Sequence, residues 1–396
     1  MRLTVNIADE LTQKQRMLKG VWISGCDDGE SPGIISTSIF RALNSKFQLQ
    51  DLHINIAGIS DIGHALNIMT SFNGIPNQLQ RLSVRLTSAI FLVDSFESPA
   101  PFWESHQQEF YPKFKLPFKP QFDWLTHLSL KDASDAIFER TRRIDLIFPL
   151  GQLETLRFVK AGELSDTLLH MTGKCHRLKM FALWGGASDV VLCQFVASLP
   201  QLEELVLKMR SAPPPNLHDL GIESHGQRLM KLFLKFRDRR ANREVGSWFL
   251  NLLTRGRTFP KLTELAISCP MEQIHLLRQW GANIPRLKFF WLLNRPIDPK
   301  PSLDRVLPHL IPLFRKDESL PKLVFFALGK RAYRKHWPTI YQFCELMAVS
   351  GGINTHLKDV THREMFYCDP GLTLLNALKM WMPCEEERNF IEPMPG

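Results

Sequence analysis

Residues 190–207 read VVLCQFVASLPQLEELVL, and this stretch decides the fold. Val190 to Leu199 has the apolar spacing of a helix. Pro200 cannot continue that helix and marks its end. Leu202, Leu205 and Leu207 then follow as L-x-x-L-x-L, a short alternating run that reads as a strand. Helix, proline and strand in so short a span form a unit too small to bury its own apolar face. Such units are stable only when stacked on copies of themselves.

The copies are present. The pattern L-x-x-[LFV]-x-[LIVF] recurs with first positions Leu18, Leu49, Leu79, Leu125, Leu153, Leu178, Leu202, Leu229, Leu262, Leu287 and Leu323. Their separation runs from 24 residues (Leu178 to Leu202) to 46 (Leu79 to Leu125). Pro200, Pro260, Pro285 and Pro321 each stand two residues before a motif leucine, and Pro76 stands three before. Helical spacing recurs between motifs, at Val245 to Leu253 and at Glu272 to Trp280.

In these repeats the chain resembles the leucine-rich-repeat family, and in particular the degenerate repeats of fungal F-box/LRR proteins, over roughly residues 15–335. The resemblance implies an α/β solenoid of horseshoe shape, with parallel strands on the concave face, helices on the convex face and about eleven or twelve irregular repeats. It also implies a non-enzymatic protein–protein interaction module, such as the substrate-recognition part of an F-box-like ubiquitin-ligase receptor. There are two departures. The ninth motif position, often Asn or Cys in the family, is here Ala57, Thr87, Ala133, Ala161, Gly186, Arg210 or Arg237, so no side-chain ladder closes the turns. No F-box-type helical segment precedes the first repeat, so adaptor binding does not carry over.

The expected organisation is a solenoid over residues 1–350 and a C-terminal cap with a short tail over 351–396. A Pro- and aromatic-rich insertion at 92–122 reads either as a loop packed on the flank or as a partner-binding lid. The chain begins almost inside a repeat-like strand (Leu3, Val5, Ile7) without the polar cap solenoid ends carry, which leaves a shortened N-terminus open as an alternative.

Bulk composition excludes several classes. Of 396 residues 44% are apolar and 22% charged, which suits a folded chain. No window is long and apolar enough to suggest a membrane span or a secretory signal. The seven cysteines are scattered without a C-x-x-C pair, as expected of reduced thiols in a cytoplasmic or nuclear protein. The common phosphate-binding, zinc and hydrolase motifs are absent, so neither enzyme activity, cofactor, metal nor small-molecule substrate is expected. Cys175–His176 reads as a buried or rim pair before a catalytic one. Asp27, Asp28 and Glu30 read as a solvated loop before a cation site.

Strand alternation locates the partner. With the first leucine as position one, positions three, five and seven should face the concave surface. Early repeats place polar groups there: Asp51, His53 and Asn55, then Arg81, Ser83 and Arg85, then His127, Ser129 and Lys131. Later ones place Trp184, Phe233, Phe289, Trp291 and Phe325, an aromatic patch expected to take a protein partner. The alternatives are a loop or the C-terminal segment folded over these rings, or a slipped register. Basic residues also follow several strands: Arg210, then Arg237, Arg239 and Arg240, then Lys330, Arg331 and Arg334. They read as solvated charge, or as a basic rim for an acidic protein or a nucleic acid.

Overall fold

A computed structural model of the chain describes residues 20–24, 50–55, 80–85, 124–131, 133–135, 144–209, 220–236, 239–268, 281–293, 320, 322–323, 325–328, 331–335 and 343–348. The chain divides into two compact units, Met1–Gln201 and Leu202–Gly396.

In the first unit six strands pair in sequence order and all in parallel. They are β1 (Gly20–Ser24), β2 (Asp51–Asn55), β3 (Arg81–Arg85), β4 (His127–Lys131), β5 (Thr155–Val159) and β6 (Met180–Gly185). Each begins two residues after a motif leucine. The register joins equal motif positions, as in His127 beside Thr155 and Thr155 beside Met180. Parallel neighbours need a long crossover, and the spacing of the motifs supplies it. Between β5 and β6 the crossover carries helix α2 (Ser165–Met171), which packs between α1 (Ile144–Ile147) and α3 (Asp189–Ala197).

The second unit holds β7 (Glu204–Met209), β8 (Lys231–Lys235), β9 (Glu264–Ile267), β10 (Phe289–Leu292) and β11 (Phe325–Leu328), again parallel and in order. Helix α4 (Arg239–Thr254) crosses from β8 to β9 and packs on both. It stops where Gly256, at φ 76°, takes the left-handed conformation that a glycine adopts without strain. The Leu253 carbonyl there accepts from Gly256 N at 3.0 Å and from Asn283 Nδ2 at 2.8 Å. The parallel order ends at β11. Strand β12 (Arg331–Lys335) returns antiparallel to it, and β13 (Phe343–Ala348) pairs antiparallel to β12.

The repeated hydrogen bonds explain why strands start where they do. The carbonyl one residue past the motif leucine accepts two N–H groups from the next strand's start. Gln50 O takes Gln80 N and Arg81 N, and Glu203 O takes Met230 N and Lys231 N. Ahead of the motif the chain makes a tight turn, the leucine N–H donating three residues back, as from Leu262 to Phe259 O and from Leu323 to Leu320 O at 3.1 Å each. Those accepting residues, Phe259, Ile284 and Leu320, are buried, and each directly precedes one of the prolines, as the buried Leu199 precedes Pro200.

The motif side chains are the core. Leu156, Phe158, Phe181, Leu205, Leu232 and Leu265 are all fully buried, each worth about 1.5–3 kcal/mol of transfer free energy. After the strands, backbone groups close the turns in place of a side-chain ladder: Ala161 N donates to Trp184 O, Gly162 N to Ala133 O and Gly186 N to Gly162 O. The approach there is close. A Cβ on Gly185 would lie 2.7 Å from Ala161 O and 2.8 Å from its Cβ, so glycine at 185 and alanine at 161 belong together. Asp135 ties two repeats. Its carboxylate accepts from Asp166 N and Thr167 N at 2.9 Å each and from Thr167 Oγ1 at 2.6 Å, satisfying orphan donors at the N-terminus of α2.

Candidate functional site

The face bearing motif positions three, five and seven differs in kind between the units. On β7–β10 the position-three row carries Glu204, Lys231, Glu264 and Phe289 in register. Lys231 Nζ lies 2.7 Å from Glu204 Oε1 and 3.8 Å from Glu264 Oε1, an ion ladder across three strands. Lys231 and Glu264 are both buried. The position-five row carries Phe233, Ala266 and Trp291. The small Ala266 lets the rings on either side meet over it, Phe233 and Trp291 packing edge-on with centroids 5.9 Å apart. Phe289 and Trp291 centroids are 6.4 Å apart.

The structure therefore brings Phe233, Phe289 and Trp291 together, in the expected register, but does not present Phe233 or Phe289 to solvent. Phe233 is 2% exposed and Phe289 1%, against the expectation of an open aromatic patch. The burial is local to these rings, since Lys235 on the same face is exposed and Glu204 and Lys208 are half-buried, and the register rules out slippage as the cause. Only Trp291 is half-buried. Trp184 belongs to the first unit and is also buried, with Lys160 Nζ 6.0 Å from its ring centre. Phe325 stands on β11 in register with Phe289; its side chain lies outside the described residues.

On β3–β5 positions three and five are accessible and polar, while Val159 at position seven of β5 is buried. Arg81 is exposed, and Ser83, His127, Ser129, Lys131, Thr155 and Arg157 are half-buried. Arg85 stands in register with Lys131. The Arg157 guanidinium rests on the Met180 thioether, Nε and Nη2 lying 3.4 and 3.3 Å from Sδ. Lys160 follows β5 directly with φ 52°, the left-handed region that non-glycine residues seldom adopt. Trp124, three residues before β4, is 60% exposed.

The expected basic rim fares differently by residue. Arg331 and Arg334 do not follow the last strand in a loop but lie within β12. Only Gly329 and Lys330 separate Leu328 from Arg331, its antiparallel partner, and so short a link suits a hairpin. Arg239 and Arg240 open α4. Arg210, Arg237 and Lys330 lie outside the described residues, as do the insertion at 92–122, the segment 351–396, Asp27, Asp28 and Glu30.

Burial pushes the Cys175 thiol up to about 12, with Lys174 pulling slightly the other way, so it is not a thiolate nucleophile. His176 beside it is exposed, and the two side chains part company. Asp189, at the start of α3, is held above the usual carboxylate range by burial and then by the Glu163 charge. Among the described residues no group of three His, Cys, Asp or Glu could hold a metal ion, and no helix is long and apolar enough to cross a membrane. No protein-family model matches the chain, and no curated protein matches it.

Proposed function

We propose that the chain is a recognition solenoid of leucine-rich-repeat type, a non-enzymatic module that takes a protein partner on its open strand face. One observation carries this reading. From β3 to β5 the described leucine positions are buried while positions three and five remain accessible and present unlike polar side chains in fixed register. A regular backbone displaying variable side chains is how repeat scaffolds bind. The resemblance to F-box/LRR proteins extends the proposal to the substrate-recognition part of a ubiquitin-ligase receptor.

The test is a photo-crosslinking amino acid placed at Ser129 on the strand face and, separately, at the exposed Gln194 on helix α3. A partner held by the strand face gives adducts from position 129 and none from position 194. Adducts from position 194 alone, or from neither, overturn the reading.

A further inference from the structure

We propose that the turns leading into β9, β10 and β11 form a docking row for an acidic α-helix of a partner protein. The same four-residue turn stands before each of these strands: Phe259-Pro260-Lys261-Leu262, Ile284-Pro285-Arg286-Leu287 and Leu320-Pro321-Lys322-Leu323. In each, the leucine N–H closes the turn on the carbonyl three residues back, at 3.1 Å. The first and last residues of each turn are buried, and the third is held outward. That third residue is a cation every time, and Lys261, Arg286 and Lys322 are all exposed. The turn itself does not require the charge. Its third position accepts most residue types, and Leu199-Pro200-Gln201-Leu202, the same sequence pattern before β7, carries an exposed neutral glutamine there.

These charges are uncompensated. The cation Lys231 has Glu204 and Glu264 beside it, whereas the side chains of Lys261, Arg286 and Lys322 have no hydrogen-bond or ion-pair partner among the described residues. Parallel pairing joins Glu264, Phe289 and Phe325 in equal register, each three residues after its turn's cation, and so sets the three turns side by side. Motif position two adds Thr263, Lys288 and Val324 next to the row, and no carboxylate. Arg228 holds the same place before β8 in a differently bonded turn, its following leucine N–H donating four residues back to His225 O. The regular row begins after it and ends with the parallel order at β11.

Spacing selects the partner. Neighbouring strands lie about 4.8 Å apart, so two steps of the row span about 9.6 Å. Carboxylates at i, i+4 and i+7 share one face of an α-helix and span about 10.5 Å along its axis, close to the same pitch. On an extended segment, residues facing one way recur about every 6.8 Å, and the third falls out of step. Single-stranded nucleic acid would want aromatic rings for its bases, and Lys261, Thr263, Arg286, Lys288, Lys322 and Val324 include none.

The experiment is fluorescence anisotropy at low ionic strength, where surface charges are least screened, with labelled alanine-rich helical peptides titrated with the full chain. One peptide carries glutamates at i, i+4 and i+7 on a single face. The other carries as many glutamates spread around the helix, and a labelled DNA duplex is the third probe. Lys261→Glu with Lys322→Glu reverses both ends of the row. Lys235→Glu with Arg255→Glu reverses two exposed charges elsewhere in the second unit and changes the net charge equally. Lys261→Gln with Lys322→Gln is the milder pair should charge reversal disturb folding. The striped peptide should bind about fivefold more tightly than the scattered one. The row variant should lose that affinity by about tenfold, and the control pair far less. Equal binding of the two peptides, or equal losses in the two variants, would show attraction to the +9 net charge alone and overturn the proposal. So would wild-type affinity in the folded row variant, no binding by the wild type, or tighter binding of the duplex lost through the same residues. The outcome is independent of crosslinking at Ser129, which probes a strand of the first unit.

Discussion

The strand faces of β3–β5 and β7–β10 occupy the same motif positions and have opposite fates. One carries Arg81, Lys131 and Arg157 at accessible positions. The other buries Phe233 and Phe289 together with Lys231 and Glu264 of a Glu–Lys–Glu ladder. Register is equally regular in both, so backbone geometry is not the difference. Chemistry is. Large apolar rings at alternate positions gain by leaving water, and they carry Lys231 and Glu264 with them. Guanidinium and ammonium groups resist that transfer. A repeat thus fixes which side of the sheet a residue takes and leaves its exposure to its neighbours.

The contrast is broken most directly at Phe289. If its ring is core, Phe289→Ala should cost about 3–5 kcal/mol in urea unfolding. An open binding residue would leave the unfolding curve unmoved, and an unmoved curve would restore the exposed aromatic patch. Lys231→Met tests the ladder. It removes the cation between two carboxylates, one of them buried, and the expected loss is about 3 kcal/mol. Lys231→Met with Glu204→Gln and Glu264→Gln should recover much of it, because the charge left behind is what costs.

Much of this arrangement was legible in the sequence, and the parts that were not share a physical reason. Every strand from β1 to β11 begins two residues after a leucine that the motif picks out, and α3 and α4 lie where the apolar spacing puts helices. A further signal was readable in Leu199-Pro200, Phe259-Pro260, Ile284-Pro285 and Leu320-Pro321, an apolar residue before each proline that proves to be buried. The burial of Phe233 and Phe289 was not readable, because alternation names a side and not how tightly neighbours pack there. The Asp135 cap was hidden because its partners, Asp166 and Thr167, come a whole repeat later. Strand β12 was hidden because Arg331 to Lys335 has the composition of a solvated loop and becomes a strand only by pairing with β11 and β13.

Smaller effects sharpen the comparison inside the first unit, where the backbone of the turns approaches most closely. Gly185→Ala should cost about 1–3 kcal/mol, since its new Cβ meets Ala161 with no flexible side chain to yield. Ala161→Gly in the same chain should return part of that loss, and a double-mutant cycle reads the coupling. Cys175 adds a pH dependence. Its thiol keeps its proton in the folded chain up to about pH 12, whereas an unfolded thiol loses it near 9.0. Above that pH the unfolded chain binds fewer protons. The group's contribution, complete below pH 9, is therefore lost as pH rises toward 12. Cys175→Ala should flatten the decline seen in unfolding midpoints between about pH 8 and pH 10.5.

The smallest expected effect bears on the open face itself. Arg81 is exposed at the start of β3, and its backbone N–H, not its side chain, makes the repeat's hydrogen bond to Gln50 O. Arg81→Gln should therefore shift stability by less than about 0.5 kcal/mol, the range of surface substitutions. A loss as large as that at Phe289 would show that the β3–β5 face is knitted into the fold like its counterpart, and the two faces would then differ in composition alone. A near-zero shift would mean that the fold does not depend on the Arg81 side chain, and that tolerance separates a face whose side chains hold the fold together from one whose side chains can change without unfolding it.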